Sequence, residues 1–244
     1  MVAPSPVANI AVSAKDDRES FLPPLLFVLT VVTGLVDAVS YLKLGHVFVA
    51  NMTGNVVFLG FAVAGAPDFS IPASLIAIAA FMAGALTGGR LGSSMPEHRT
   101  RLFAIAVLVK LALVGVALVV AITVIDLEAA SVRYGLIALL ALAMGLQNAA
   151  ARVLAVPDLT TTVLTLTITG LAADSTLAGG SNPRVGRRLL ATGAMFLGAA
   201  IGAVLVLKIG VSAALALTFA LLALNVIAAC RAWLRMKNAQ PSSP

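Results

Sequence analysis

Charge is what this sequence has least of. Lys, Arg, Asp and Glu together make up 11% of its 244 residues, where a soluble domain carries about 25%. So few charges cannot cover a water-facing surface, which excludes a soluble globular protein, a disordered chain and a charged coiled coil. The single cysteine, Cys230, rules out an internal disulfide and any thiolate metal cluster. His46 and His98 stand far apart with no metal-ligand spacing, so neither a metal nor any other cofactor is expected. Aromatics are only 5%, which argues against a wide, aromatic-lined drug cavity.

What the chain has in excess is apolar surface, with 60% hydrophobic residues and a mean hydropathy of +1.06. Eight apolar segments stand out, at 21–42, 47–66, 71–92, 102–125, 133–154, 159–178, 187–207 and 210–230. Crossing a hydrocarbon core of about 30 Å takes about 20 helical residues. Backbone polar groups in lipid must be satisfied within the segment, and continuous apolar runs without period-2 alternation argue against strands. The reading is an all-α, multi-pass integral membrane protein in contact with the lipid bilayer. In residues 1–20 the charges Lys15 to Glu19 follow a weakly apolar stretch. That order is the reverse of a signal peptide, so this segment reads as a cytoplasmic tail.

Two of the eight segments are polar. Segment 47–66 carries Asn51, Thr53, Gly54 and Asn55, and segment 159–178 carries Thr160, Thr161, Thr162, Thr165, Thr167 and Thr169 after Pro157-Asp158. If all eight cross with the N-terminus inside, nine basic residues lie inside and six outside. If these two instead enter and leave on one side, Lys43, Arg133 and Lys208 alone stay outside. Twelve then lie inside, with Lys110 left within a span. Cytoplasmic loops carry the Lys/Arg excess, which favours six full crossings plus two broken or re-entrant segments over eight crossings. The basic residues border spans and so mark orientation and anionic lipid; nucleic acid is not an expected partner.

The halves match in register. Gly34-Leu35-Val36-Asp37-Ala38 corresponds to Gly145-Leu146-Gln147-Asn148-Ala149, each followed by a polar threonine-containing segment. Gly84 and Gly88 correspond to Gly198 and Gly202 at an offset of 114. The chain divides on this basis into a tail (1–20), membrane repeat 1 (21–125), membrane repeat 2 (133–230) and a cytoplasmic C-terminal tail (231–244). Three crossings per half would insert the second half upside down, the inverted repeat of many transporters. Eight crossings would give parallel repeats.

Gly34-x-x-Asp37-Ala38-x-Ser40-Tyr41, then Phe48 to Asn55 with Met52-Thr53-Gly54-Asn55, then Gly145 to Ala149 with its Thr-rich run, resemble the YoaK family. These are small bacterial multi-pass membrane proteins catalogued as a domain of unknown function. The resemblance covers residues 22–232 and implies a bacterial inner-membrane protein; it supplies no substrate.

Asp37 is the one carboxylate well inside an apolar span, where it costs about 2.5–3.5 kcal/mol near a helix centre. It either binds a cation, proton or solute between the repeats, or hydrogen-bonds the polar 51–55 segment. Asn51, Thr53, Gly54 and Asn55 supply donors, acceptors and a backbone open to unwinding or close packing. Gln147 and Asn148 with Thr162 and Thr165 form the counterpart in the second half. Lys110 is expected to snorkel to the inner interface. Gly84, Gly88, Gly198 and Gly202 are expected to pack the repeats together, a homo-oligomer contact being the lesser reading. The expected function is a small-solute transporter or channel-like permease with its site near Asp37 and Asn51–Asn55. The alternative is a non-transporting sensor, assembly factor or partner subunit. No nucleophile–base pair is visible, so an enzyme is not expected.

Overall fold

The computed structural model describes residues 22–95, 99–154, 164–181 and 184–238. Thr160, Thr161, Thr162, Pro157, Asp158 and His98 lie outside them, as does the N-terminal tail. The described residues form eight α-helices: α1 Leu22–Lys43, α2 Met52–Val63, α3 Ile71–Ser94, α4 Arg99–Thr123, α5 Ala130–Leu154, α6 Leu164–Ala173, α7 Val185–Lys208 and α8 Val211–Asn238. Six of them are long and apolar enough to cross a membrane; α2 and α6 are not. At 1.5 Å per residue, the 12 residues of α2 reach about 18 Å, well short of the hydrocarbon core. The first polar segment therefore narrows from 47–66 to a short helix preceded by a non-helical connection over 44–51.

The breaks between helices have local causes. Gly45 and His46 both take positive φ, 102° and 54°, turning the chain back after α1. Ser70 caps α3, its Oγ accepting from the Ala73 N–H at 3.3 Å, with Pro72 in the first turn. Asp126 Oδ1 accepts from the Glu128 and Ala129 amides ahead of α5. Gly210, at φ 137°, allows α7 to pass directly into α8.

Helices α1 and α5 are the centre, each 67% buried over its spanning window, against 22–33% for the other four. Outside them the bundle shows lipid its apolar side chains, such as Phe196, Val119 and Met82. The principal pairings are α1 with α7, α3 with α5, α4 with α8, α4 with α5 and α1 with α8. Exchanging the first four helices for the last four maps this set onto itself: α1·α7 becomes α5·α3 and α1·α8 becomes α5·α4. The short helices obey the same exchange, α2 packing on α3 and α6 on α7.

Glycines set how closely the halves approach. A Cβ on Gly84 would stand 2.0 Å from Leu142 O, and one on Gly145 2.0 Å from Phe81 O, so α3 and α5 touch backbone to backbone. Gly198 against Val31 O, at 2.1 Å, and Gly34 against Met195 O, at 2.4 Å, do the same for α1 and α7. Gly88 lies against Leu146 and Ala149, and Gly202 against Leu35 and Ala38. Each contact joins the first half to the second, as small-residue helix packing in membranes allows.

Candidate functional site

Two groups of polar side chains, at different depths, hold the buried charges of this bundle. The first surrounds Asp37, near the C-terminal end of α1. Its Oδ1 accepts from the backbone N–H of Val49 at 3.2 Å and of Ala50 at 3.1 Å. Asn55, one turn into α2 and fully buried, grips the same connection from the other side. Its Oδ1 accepts from Phe48 N at 2.8 Å, and its Nδ2 donates to Phe48 O at 2.5 Å. Amides that helix geometry would otherwise satisfy are thus taken up by two side chains. Residues 47–50, non-helical and mostly buried, are held in place by Asp37 and Asn55.

The rest of the polar run does not converge on that point. Asn51 and Thr53 are exposed, while Gly54 is helical and packs against the Phe48 ring, 2.7 Å from where a Cβ would stand. In the second half Asn148 is buried, Thr165 is exposed, and Thr162 falls outside the described residues. Asn51, Thr53 and Thr165 are thus not gathered with Asp37 and Asn55, their side chains being exposed on two different elements.

The second group lies deeper. Lys110, midway along α4 and 1% exposed, donates from Nζ to Gln147 Oε1 of α5. Gln147 Nε2 in turn donates to Thr33 Oγ1 of α1 at 3.2 Å, and Thr33 Oγ1 to Leu29 O at 2.8 Å. The expected snorkelling of Lys110 does not occur. With 11 residues of helix before it and 13 after it, the two ends of α4 are about 16 and 20 Å away, beyond the reach of a lysine side chain. Lys110 and Asp37 are the buried charged residues among those described. Among the described residues no contact ion pair joins them.

Beside the Lys110–Gln147 bond is a small cavity, about 10 Å³ as room for the centre of a water molecule. That is space for about one water. Leu26 and Leu29 of α1, Phe103 and Val107 of α4, and Ala150 and Leu154 of α5 wall it. At the N-terminal end of α4, Arg99 donates from Nη2 to the backbone oxygen of Leu154, one of the lining residues. Among the described residues no three His, Cys, Asp or Glu side chains come together, so ammonium, amide and hydroxyl groups make up the chemistry of the site.

A family model described as "Protein of unknown function (DUF1275)" matches residues 25–228, from the start of α1 almost to the end of α8. The chain belongs to the DUF1275 family. The UPF0700 transmembrane protein YoaK of Bacillus subtilis (strain 168) is 35% identical over 150 residues, 62% of this chain and 65% of that protein. The alignment thus spans slightly under two-thirds of the relative's own length. No solved structure matches. Family membership agrees with the resemblance carried by Asp37 and the Met52-Thr53-Gly54-Asn55 run, and makes this a transmembrane protein. Within this DUF1275 chain, Lys110 and Thr33 are the site residues that sequence reasoning left out. The available signal was a lysine too central in its span to reach either interface.

Proposed function

We propose that this protein is a permease for a small solute, with its site at the junction of the two halves on Lys110, Gln147 and Thr33. One observation carries the reading: a buried lysine midway along its span, hydrogen-bonded to an amide of the other half, beside a small cavity that extends from it toward the Leu26, Phe103 and Leu154 end of the bundle. Ionisable groups are costly in that environment and are retained where a solute, ion or proton passes. Transporters with inverted halves place their sites near the midplane where the halves meet. The exchange symmetry of the helix pairing, with three long helices in each half, supports such an inversion.

The basic residues favour an orientation. Arg90, Arg99, Arg101, Arg152, Arg184, Arg187, Arg188 and Arg231 share one end of the bundle, while Lys43, Arg133 and Lys208 share the other. The first end is then cytoplasmic, both chain termini lie inside, and the membrane is the bacterial inner membrane. Asp37 and Asn55 in this reading support the outer connection rather than the solute.

Purified protein in proteoliposomes tests this with isotope flux of short carboxylates, amino acids, sugars and inorganic ions. Flux of at least one above protein-free vesicles, lost in Gln147→Leu, is expected. No flux for any of them overturns the reading. The backbone-to-backbone contacts of α1 with α7 and α3 with α5 favour a second reading, a non-transporting partner subunit or sensor. That reading expects no flux and a stable complex with another membrane protein. Neither assigns a chemical reaction to the chain.

A further inference from the structure

We propose that α6 is a flap at the arginine-rich end of the bundle, latched to α7 by Arg188, and that releasing this latch is the opening step on that side of the membrane. Its use as a gate rests on the permease reading; the latch itself rests on the contacts of α6.

The two short helices are fastened in different ways. Asp37 and Asn55 hold the buried connection into α2 by four hydrogen bonds. Phe58 and Phe61 then lock α2 among the rings of Tyr41, Phe48 and Phe69. Helix α6 has neither device. Its ten residues include no aromatic ring, and Thr167 is the one buried among them. Leu166 and Ile168 are 67% and 50% exposed. Among the described residues α6 packs on α7 and on the short 3-10 turn Thr176–Ala178.

The latch sits at the C-terminal end of α6. Arg188, in the first turn of α7, donates from Nη1 to Gly170 O at 2.6 Å and to Asp174 Oδ2 at 2.7 Å. A guanidinium there answers the negative end of the helix and the carboxylate that follows it. The backbone is shaped around the contact. A Cβ on Gly170 would stand 2.7 Å from Arg188 Cζ, and one on Gly180 2.2 Å from Asp174 O. Between them the chain turns tightly, Gly180 N donating to Ser175 O at 2.8 Å with Gly179 at φ 82°. The arginine side chain is 12% exposed and the carboxylate 43%. An ion pair open on one side is weak enough to break and reform, and moving elements are drawn from the least stable parts of a fold. The bonds that hold the connection into α2 are buried by comparison.

Hydrogen exchange of the full chain in nanodiscs, read by mass spectrometry over residues 164–173 and 52–63, tests the latch without any solute. In the wild type α6 should exchange faster than α2. Asp174→Asn should speed α6 about fivefold and Arg188→Ala about tenfold or more, with α2 and the long helices unchanged. The double variant should go no further than Arg188→Ala, since both remove one contact. Gly170→Ala keeps every charge and crowds the guanidinium, so it reads the latch even where Arg188→Ala fails to fold. A methyl group in a helix slows exchange if propensity alone acts; faster exchange is expected here. Wild-type rates in folded Asp174→Asn and Gly170→Ala, or acceleration spread equally over α2 and α7, each overturn the proposal. Opening confined to α6 in a protein that carries no flux sinks the permease reading and leaves the latch. Flux with α6 exchange identical in wild type and variants does the reverse.

Discussion

At the scale of the residue, Asp37 shows how a membrane protein keeps a carboxylate in an apolar helix. Its oxygen answers two amide donors that the non-helical connection at 47–50 leaves open. Removing the acceptor should cost more than removing the charge. Asp37→Asn retains an oxygen at the same place and is expected to unfold in detergent within about 1 kcal/mol of wild type. Asp37→Ala orphans both amides and should lose about 2–4 kcal/mol. Equal stability of the two variants would show that these bonds do not hold the loop. The same reasoning applies to Asn55, whose amide makes both bonds to Phe48. Asn55→Leu should leave the helices folded while amide hydrogen exchange speeds up across residues 47–52. Unchanged exchange there would contradict the anchoring role.

Between elements, what matters is how near two backbones come. Gly84 and Gly198 leave no space for a methyl group, while Gly89 on α3 and Gly193 on α7 have nothing within 4 Å of where a Cβ would stand. Gly84→Ala and Gly198→Ala must push whole helices apart, an overpacking cost of about 1–3 kcal/mol or more. Gly89→Ala and Gly193→Ala sit in the same helices and should be neutral or slightly stabilising. Thermal unfolding and the monodisperse fraction after size exclusion separate the two pairs. Similar losses in all four would mean that helix propensity, not close approach, sets the outcome.

Elements also mark how far the sequence could be read. The long helices were legible because a continuous apolar run of sufficient length has few other stable forms in lipid. Gly84, Gly88, Gly198 and Gly202 were legible as packing residues because they recur in register in both halves. The partner of Lys110 was not. Gln147 lies 37 residues away on another helix, and a match between helices leaves no periodic trace. Asn225, whose Nδ2 donates to Leu25 O across 200 residues, was missed for the same reason. So was the stack of Tyr41, His46, Phe48, Phe58, Phe61 and Phe69 over the α1–α3 connection. The chain holds few aromatics overall, and folding gathers these into one place. Asn51 and Thr53 went the other way: a polar run looked like a site, but the short helix turns half of it outward.

At the scale of the whole molecule, everything proposed depends on parity. With six crossings and three per half, the halves are inverted and Lys110 meets Gln147 at the junction between them. The connection between α2 and α3 and the one between α3 and α4 then face opposite sides, Asp68 outside and Ser94 inside. With eight crossings and the N-terminus likewise inside, these two positions exchange sides. The decisive measurement is labelling by a membrane-impermeant maleimide on intact cells, in a Cys230→Ser background carrying Asp68→Cys or Ser94→Cys. Labelling of Asp68→Cys from outside, with Ser94→Cys reached only after permeabilisation, is the predicted result. The opposite pattern would contradict the six-crossing inverted arrangement and the site placed within it.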